Sequence, residues 1–131
     1  MPRRFIAAVI AVVLLAGCAS GLKRPPVSAE AVTDAQGVQR VEVDLHSFYF
    51  KPNRIVVHSG RPVELILRNR SILVPHNLSL PDSSISLNAG VWGFGSRRVR
   101  FTHTTPGEYP FFCHVDHHAK KGMTGTLVVL P

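Results

Sequence analysis

From residue 39 onward the hydrophobic positions fall into short alternating runs. Val41, Val43 and Leu45 alternate with Glu42 and Asp44, and Phe48 and Phe50 carry the alternation to Pro52-Asn53, which interrupts it. A period of two sends successive side chains to opposite faces, so each run reads as a strand with one buried and one wet face. Ile55 to His58 resumes the pattern, Ser59-Gly60-Arg61-Pro62 marks a turn, and Val63, Leu65 and Leu67 then share a face. Leu78 and Leu80 alternate with Asn77 and Ser79, and Arg97 to Thr102 interleaves basic residues with Val99 and Phe101. Tyr109, Phe111 and Cys113 share one more face, and Thr126, Val128 and Leu130 close the chain. Thr105-Pro106-Gly107-Glu108 suits a type II turn, with proline second and glycine third. Pro110 has no N–H to give to a ladder, which predicts an edge or an irregular pairing there. Pro81 to Gly95, with Trp92 among glycines, shows no clear period, and no stretch keeps a helical period over three turns. Seven or eight short strands between turns predict an all-β fold, an antiparallel sandwich or Greek-key barrel. The 93 residues from Gln39 to Pro131 suffice for one core.

The first 38 residues have a different character. Arg3 and Arg4 precede an apolar run of 12 residues, Phe5 to Ala16, too short for a membrane span of about 20 residues. Leu15-Ala16-Gly17-Cys18 resembles the lipobox of bacterial lipoproteins. That resemblance implies removal of residues 1–17 as a signal peptide, acylation of Cys18, and a lipid-anchored protein on the periplasmic side of a bacterial membrane. An uncleaved anchor helix is the competing reading. Residues 18–38, rich in Ala, Ser, Gly and Pro, read as the lipidated cysteine and a flexible tether, with an edge strand at Val27 to Val32 as the alternative. Residues 39–131 are the expected domain.

Charge narrows the partners. The chain is +7 with neutral histidines, and without residues 1–17 it keeps 13 basic and 8 acidic residues, a net +5. Such an excess favours acidic partners or an anionic membrane surface. Export takes the chain away from nucleic acid. Two cysteines in an exported protein raise the question of a disulfide. If Cys18 carries lipid through its sulfur, Cys113 is left as a lone thiol in an oxidising compartment, a liability that a metal would remove.

Cys113 begins the stretch richest in chemistry. Tyr109 to Gly125 holds Cys113, His118 and Met123 in one short loop between apolar runs. Thiolate and thioether with imidazole select copper over magnesium or calcium, and two histidines, a cysteine and a weak axial methionine describe a blue-copper site. The second histidine must come from elsewhere, and His76, in ILVPHNLSL, is the best upstream candidate. Pro75 stiffens the approach to it. His114 and His117 are further imidazoles in the loop. They leave a C-x3-H alternative through His117, although alternation points His114 away from Cys113. His46, His58 and His103 read as structural or exposed.

His76-Asn77, PGEYPFFC, and C-x4-H-x4-M with Gly122 before the methionine together resemble the cupredoxin family of plastocyanin- and azurin-like proteins, over roughly Val41 to Leu130. The resemblance implies one copper ion, alternating between Cu(I) and Cu(II), held by His76, Cys113, His118 and the weak axial donor Met123. Asn77 would support the thiolate by hydrogen bonds. It implies a monomeric electron carrier rather than an enzyme, with no catalytic residues. Its expected partner is an acidic exported redox protein such as a cytochrome or copper oxidase. That partner would meet an apolar patch of Leu73, Val74 and Pro75 around His118, rimmed by Lys120 and Lys121. Copper storage, resistance or delivery is the alternative function, motivated by the additional imidazoles. A metal-free structural or adhesion sandwich is the third.

Overall fold

The computed structural model describes residues 24–82 and 86–131. The expected signal peptide and Cys18 lie outside the described residues, among which no helix is long and apolar enough to cross a membrane. The strands are β1 (Ser28–Glu30), β2 (Val32–Thr33), β3 (Gln39–His46), β4 (Tyr49–Lys51), β5 (Arg54–His58), β6 (Pro62–Asn69), β7 (His76–Pro81), β8 (Ser86–Val91), β9 (Ser96–Thr102), β10 (Gly107–Phe112) and β11 (Thr124–Leu130). They form two sheets, ordered β1-β5-β11-β10-β7-β8 and β2-β3-β6-β9, with β4 added alongside β3.

The all-β sandwich expected from the alternation is what forms, with two differences. It is mixed rather than purely antiparallel, because β1 and β11 both pair in parallel with β5, and β3 pairs in parallel with β6. Parallel neighbours need a crossover, and here the chain makes it by leaving one sheet for the other. The strands beyond the expected seven or eight include β1, β2 and β4, each of three residues or fewer.

Two of the short strands lie inside the stretch read as a tether, residues 18–38. β1 pairs with β5 and β2 with β3. The turn that follows is closed by the Asp34 carboxylate, which accepts from the backbone N–H groups of Gln36 and Val38 at 2.9 Å each. The edge-strand alternative for Val27 to Val32 therefore describes that segment.

The core follows the period of two. Val41, Val43 and Leu45 of β3 and Val63, Leu65 and Leu67 of β6 face Ile55, Val57, Leu78, Leu80, Phe111, Leu127 and Val129 across the sandwich. Burying each such side chain contributes about 1.5–3 kcal/mol, so the sheets are held mainly by these two faces. Phe50 meets Phe111 edge-on at 5.1 Å. On β11 the core-facing residues are Leu127 and Val129, the face opposite to Thr126, Val128 and Leu130. On the outer face Glu64 is buried beneath Arg40 and Arg100, its neighbours in register on β3 and β9. The Arg100 hydrogen bond is the main reason its carboxyl stays below the usual range.

Two turn readings come out differently from each other. The type II turn at Thr105 to Glu108 does not form: Gly107 takes φ +156° and already begins β10. The Tyr109 hydroxyl, donating to Thr105 O at 2.9 Å, lays its ring against Gly107 instead. At Pro110 the irregular pairing is present, since β10 meets β7 only where Phe112 lies opposite Ser79.

β3, β6, β8 and β10 all end, and β4, β7, β9 and β11 all begin, at one end of the sandwich. Four connections therefore converge there: 47–48, 70–75, 92–95 and 113–123. Every residue of the expected site belongs to this end.

Candidate metal centre

His76 opens β7 opposite Val91 of β8. Its approach is pinned by the buried Asn69, whose side-chain N–H groups donate to Val74 O (2.9 Å) and Val91 O (3.1 Å) and whose Oδ1 accepts from Ser71 N–H (2.7 Å). One amide thus joins two loops and fixes the backbone that delivers the imidazole. Cys113 follows the last residue of β10, and its N–H donates to Met123 O at 3.1 Å. Met123 N–H and Lys121 N–H both donate to His118 O, at 3.1 and 3.0 Å. Asp116 and His117 take φ of 35° and 62°, which turns the chain back, and a 3₁₀ turn, Ala119–Lys121, ends at the left-handed Gly122. The loop therefore closes on itself, with the backbone of Met123 bonded to both Cys113 and His118.

The donor atoms of His76, Cys113 and His118 lie within 4.8 Å of one another, and all three residues are buried. Cys113 Sγ stands 3.4 Å from His118 Nδ1 and accepts from the Asn77 backbone N–H at 3.4 Å. The two imidazole rings are 5.1 Å apart. His76 Nε2 is 3.1 Å from Ser71 Oγ, which in turn is 2.9 Å from Ser47 Oγ. A hydroxyl accepting at Nε2 places the proton there and leaves the Nδ1 lone pair free. That Nδ1 is buried without a hydrogen-bond partner. Buried polar atoms are normally satisfied, so an orphan lone pair facing a thiol and a second imidazole is what a metal ligand looks like before its metal arrives.

Electrostatics agrees with that role. Burial pushes the His76 pKa down from 6.5 to about 4, with smaller contributions from His118 and His46. His118 is lowered too, chiefly by burial and then by Lys121, against the opposing pull of Asp116. Both rings are held towards the neutral, metal-binding form. Two imidazoles and a buried thiol beside a buried thioether residue form a soft donor set, and the residues present fit copper.

Asn77 adjoins both the sulfur and His114. Besides its backbone bond to the sulfur, its Oδ1 accepts from His114 N–H at 2.9 Å, and its Nδ2 donates to Asn88 Oδ1 (2.7 Å) and His114 Nδ1 (3.0 Å). His114 is exposed and bonded to Asn77, and His117 is exposed in its left-handed turn; neither joins the cluster. His46 stacks on Tyr49 at 4.5 Å, His103 packs on Tyr109 at 4.0 Å, and His58 is hydrogen-bonded to the carbonyl of Pro131. Sequence reasoning missed Ser47, Ser71, Asn69 and Phe48. Phe48 takes φ +106°, rare for a residue with a bulky side chain, and its ring edge meets His118 at 4.8 Å. Lys121 Nζ lies 4.1 Å from the centre of that ring. His118 is thus only 5% exposed, and the side chain found against it is Phe48; Leu73 stands out in solvent.

The family model described as a cupredoxin-like domain matches residues 5–129. No curated protein matches the chain in sequence. Among solved structures, the metal binding domain of the Cu(I) exporting P-type ATPase CopA of Streptococcus pneumoniae D39, with Cu(I), is 18% identical, with a TM-score of 0.65 over 79% of this chain and 96% of its own. Reduced auracyanin from the photosynthetic bacterium Roseiflexus castenholzii is 20% identical, with a TM-score of 0.64 over 77% and 99%. Auracyanin A, a "blue" copper protein from Chloroflexus aurantiacus, is 22% identical, with a TM-score of 0.60 over 71% and 99%. Likeness at these identities is likeness of fold.

Proposed function

We propose that this chain, which belongs to the cupredoxin-like domain family, is a type 1 copper protein that carries single electrons outside the cytoplasm, tethered to a membrane through Cys18. The observation that carries the reading is the buried His76 Nδ1, without a hydrogen-bond partner of its own, in a cluster with Cys113 and His118. His76, Cys113 and His118 would hold the ion, with the buried Met123 thioether as a further, weaker donor. Bound copper supplies a one-electron couple. The chain's own residues do the rest. Asn77 N–H and the surrounding burial hold the sulfur in place, Ser71 anchors the His76 ring through Nε2, and the hydrogen bonds among Cys113, His118 and Met123 keep the loop from opening. A scaffold fixed in this way needs little rearrangement between the two copper states. Phe48 covers His118, which excludes water and gives electrons a short path to the surface. Lys120 and Lys121 beside it suit a redox partner with an acidic face, such as an exported cytochrome or copper oxidase.

Auracyanin A supports the carrier reading as a blue copper protein of the same fold. Copper delivery is the second reading, favoured by the exposed His114 and His117 in the ligand loop and by the fold shared with a Cu(I) exporter's metal-binding domain. Copper(II) titration followed by visible spectroscopy tests the site: an intense thiolate-to-copper band at one equivalent is expected, and its absence removes the carrier. If the protein is coloured when loaded with copper(II) but, once reduced, exchanges electrons with no partner and passes copper to an apo-acceptor, delivery takes its place.

A further inference from the structure

Two loops at the end that carries the candidate metal centre hold large apolar side chains that are mostly exposed. Ile72 and Leu73 in the 70–75 loop are 65% and 89% exposed, and Trp92 and Phe94 in the 92–95 loop are 77% and 69% exposed. The two loops adjoin. Asn69 bonds to Val74 O in one and to Gly95 O, through its own N–H, next to the other, and Gly93 lies against Ile72 O. The four exposed side chains therefore stand on two adjoining loops at one end of the domain. Exposed apolar groups that cluster mark interaction sites, whereas scattered ones do not.

The surroundings of the patch are basic. A groove beside Phe94 is lined by Arg68, Arg70 and Arg98, with Asn69 and Ser96. Arg68 and Arg70 hold Glu42 and Asp44 at 2.7 and 2.8 Å, and Arg98 reaches Glu64 only at 3.8 Å. Each planar guanidinium keeps further N–H donors for another anion. Arg97, next to the same loop, donates to the Gly90 carbonyl. Aromatic and aliphatic tips beside arginines match the layered chemistry of a lipid surface, where aromatic rings settle at headgroup depth and basic groups meet phosphate.

We propose that this flank of the domain docks on an anionic phospholipid surface, with Leu73, Trp92 and Phe94 entering the headgroup region and Arg97, Arg98 and the groove arginines facing phosphates. The direction of the chain agrees. Arg24 lies over the Tyr49 ring at 4.0 Å, beside the turn that carries Phe48, so the N-terminal segment reaches the domain at this same end. On the lipidation read from the sequence, the six Cα-to-Cα steps from Cys18 to Arg24 reach at most about 20 Å, which keeps this end close to the bilayer. β8 and β9 are the outermost strands of their sheets, so the 92–95 loop sits at the flank. Phe48, Lys121 and His118 lie between the 47–48 and 113–123 connections, away from it, and stay open to a redox partner.

Trp92 is the only tryptophan in the chain, so intrinsic fluorescence reports this patch alone. The metal-free full chain is mixed with vesicles of phosphatidylcholine, with and without phosphatidylglycerol. A blue shift of emission and quenching by headgroup-depth nitroxide lipid are expected on anionic vesicles only. At least a tenfold loss of apparent affinity is expected in high salt or in the Arg97→Gln, Arg98→Gln variant. An anchor at Cys18 brings the protein to vesicles without itself moving Trp92 into lipid, so the two are read separately. Unchanged emission on both vesicle types overturns the proposal. So does protection of Trp92 by an acidic redox protein while anionic vesicles leave it wet, which would assign the flank to a protein partner. Copper plays no part in the measurement, so the metal site stands or falls independently.

Discussion

Ser71 Oγ lies 3.1 Å from His76 Nε2 and 2.9 Å from Ser47 Oγ, so two hydroxyls from separate loops fix the ring that presents a free Nδ1 to the metal site. Ser71→Ala should lower copper affinity by about 10- to 100-fold, the usual effect of losing a group that orients a ligand, while thermal unfolding of the metal-free protein changes little. Ser71→Thr should restore affinity. Competition with a chelator measures both, and equal affinity in all three proteins would show that the hydroxyl does not orient His76.

Cys113→Ser should lose the blue band and keep the fold, since a hydroxyl is close in size but a poor soft ligand. His118→Ala should damage copper binding far more than His117→Ala, because only His118 lies in the buried cluster. Visible spectra of the copper-loaded variants decide, and equal losses at 117 and 118 would mean that the loop rearranges around the ion.

Metal-free stability should rise with pH between about 4 and 6.5. The folded His76 titrates at about 4 against 6.5 ordinarily, so within that window the unfolded chain binds a proton that the folded chain refuses. Stability is therefore lost as pH falls through the window, by about 3 kcal/mol in full, and His118 adds in the same direction. Urea midpoints at pH 7 and 4.5 measure the slope. His76→Phe should reduce it, leaving the part due to His118 and His46, and an unchanged slope would place the titrating group elsewhere.

Much of this was legible in the sequence, and the limits have physical reasons. Val41, Val43 and Leu45 announce their strand because one face is buried and one wet. β1 and β2 announce themselves only as the edge-strand alternative at Val27 to Val32, since two or three residues hold no period and their place is set by β5 and β3. The parallel β3–β6 pairing depends on where the chain crosses between sheets, which local pattern does not encode. Cys113 and His118 are five positions apart, so spacing alone brings them together. His76 is 37 positions before Cys113 and needed soft-ligand chemistry and a family resemblance to be found. Ser47, Ser71 and Phe48 act only because their loops meet. A lone serine or phenylalanine in sequence carries no sign of that.

Lys120→Glu with Lys121→Glu should slow second-order electron exchange with an acidic partner at least tenfold in dilute buffer and leave the blue band nearly unchanged. Salt should narrow the gap, because screening acts over about 8–10 Å at moderate ionic strength. Stopped-flow rates across a salt series test this. A rate insensitive to both charge and salt would move the partner's contact away from Lys121 and Phe48.

The most direct test of the copper site is X-ray absorption at the copper edge of the singly loaded protein, oxidised and reduced. One short sulfur and two imidazole nitrogens in both states is the expected result, with the sulfur absent in Cys113→Ser and one imidazole missing in His76→Ala. A shell of nitrogen and oxygen only, unchanged by Cys113→Ser, would contradict the account and move the metal to the exposed His114 and His117.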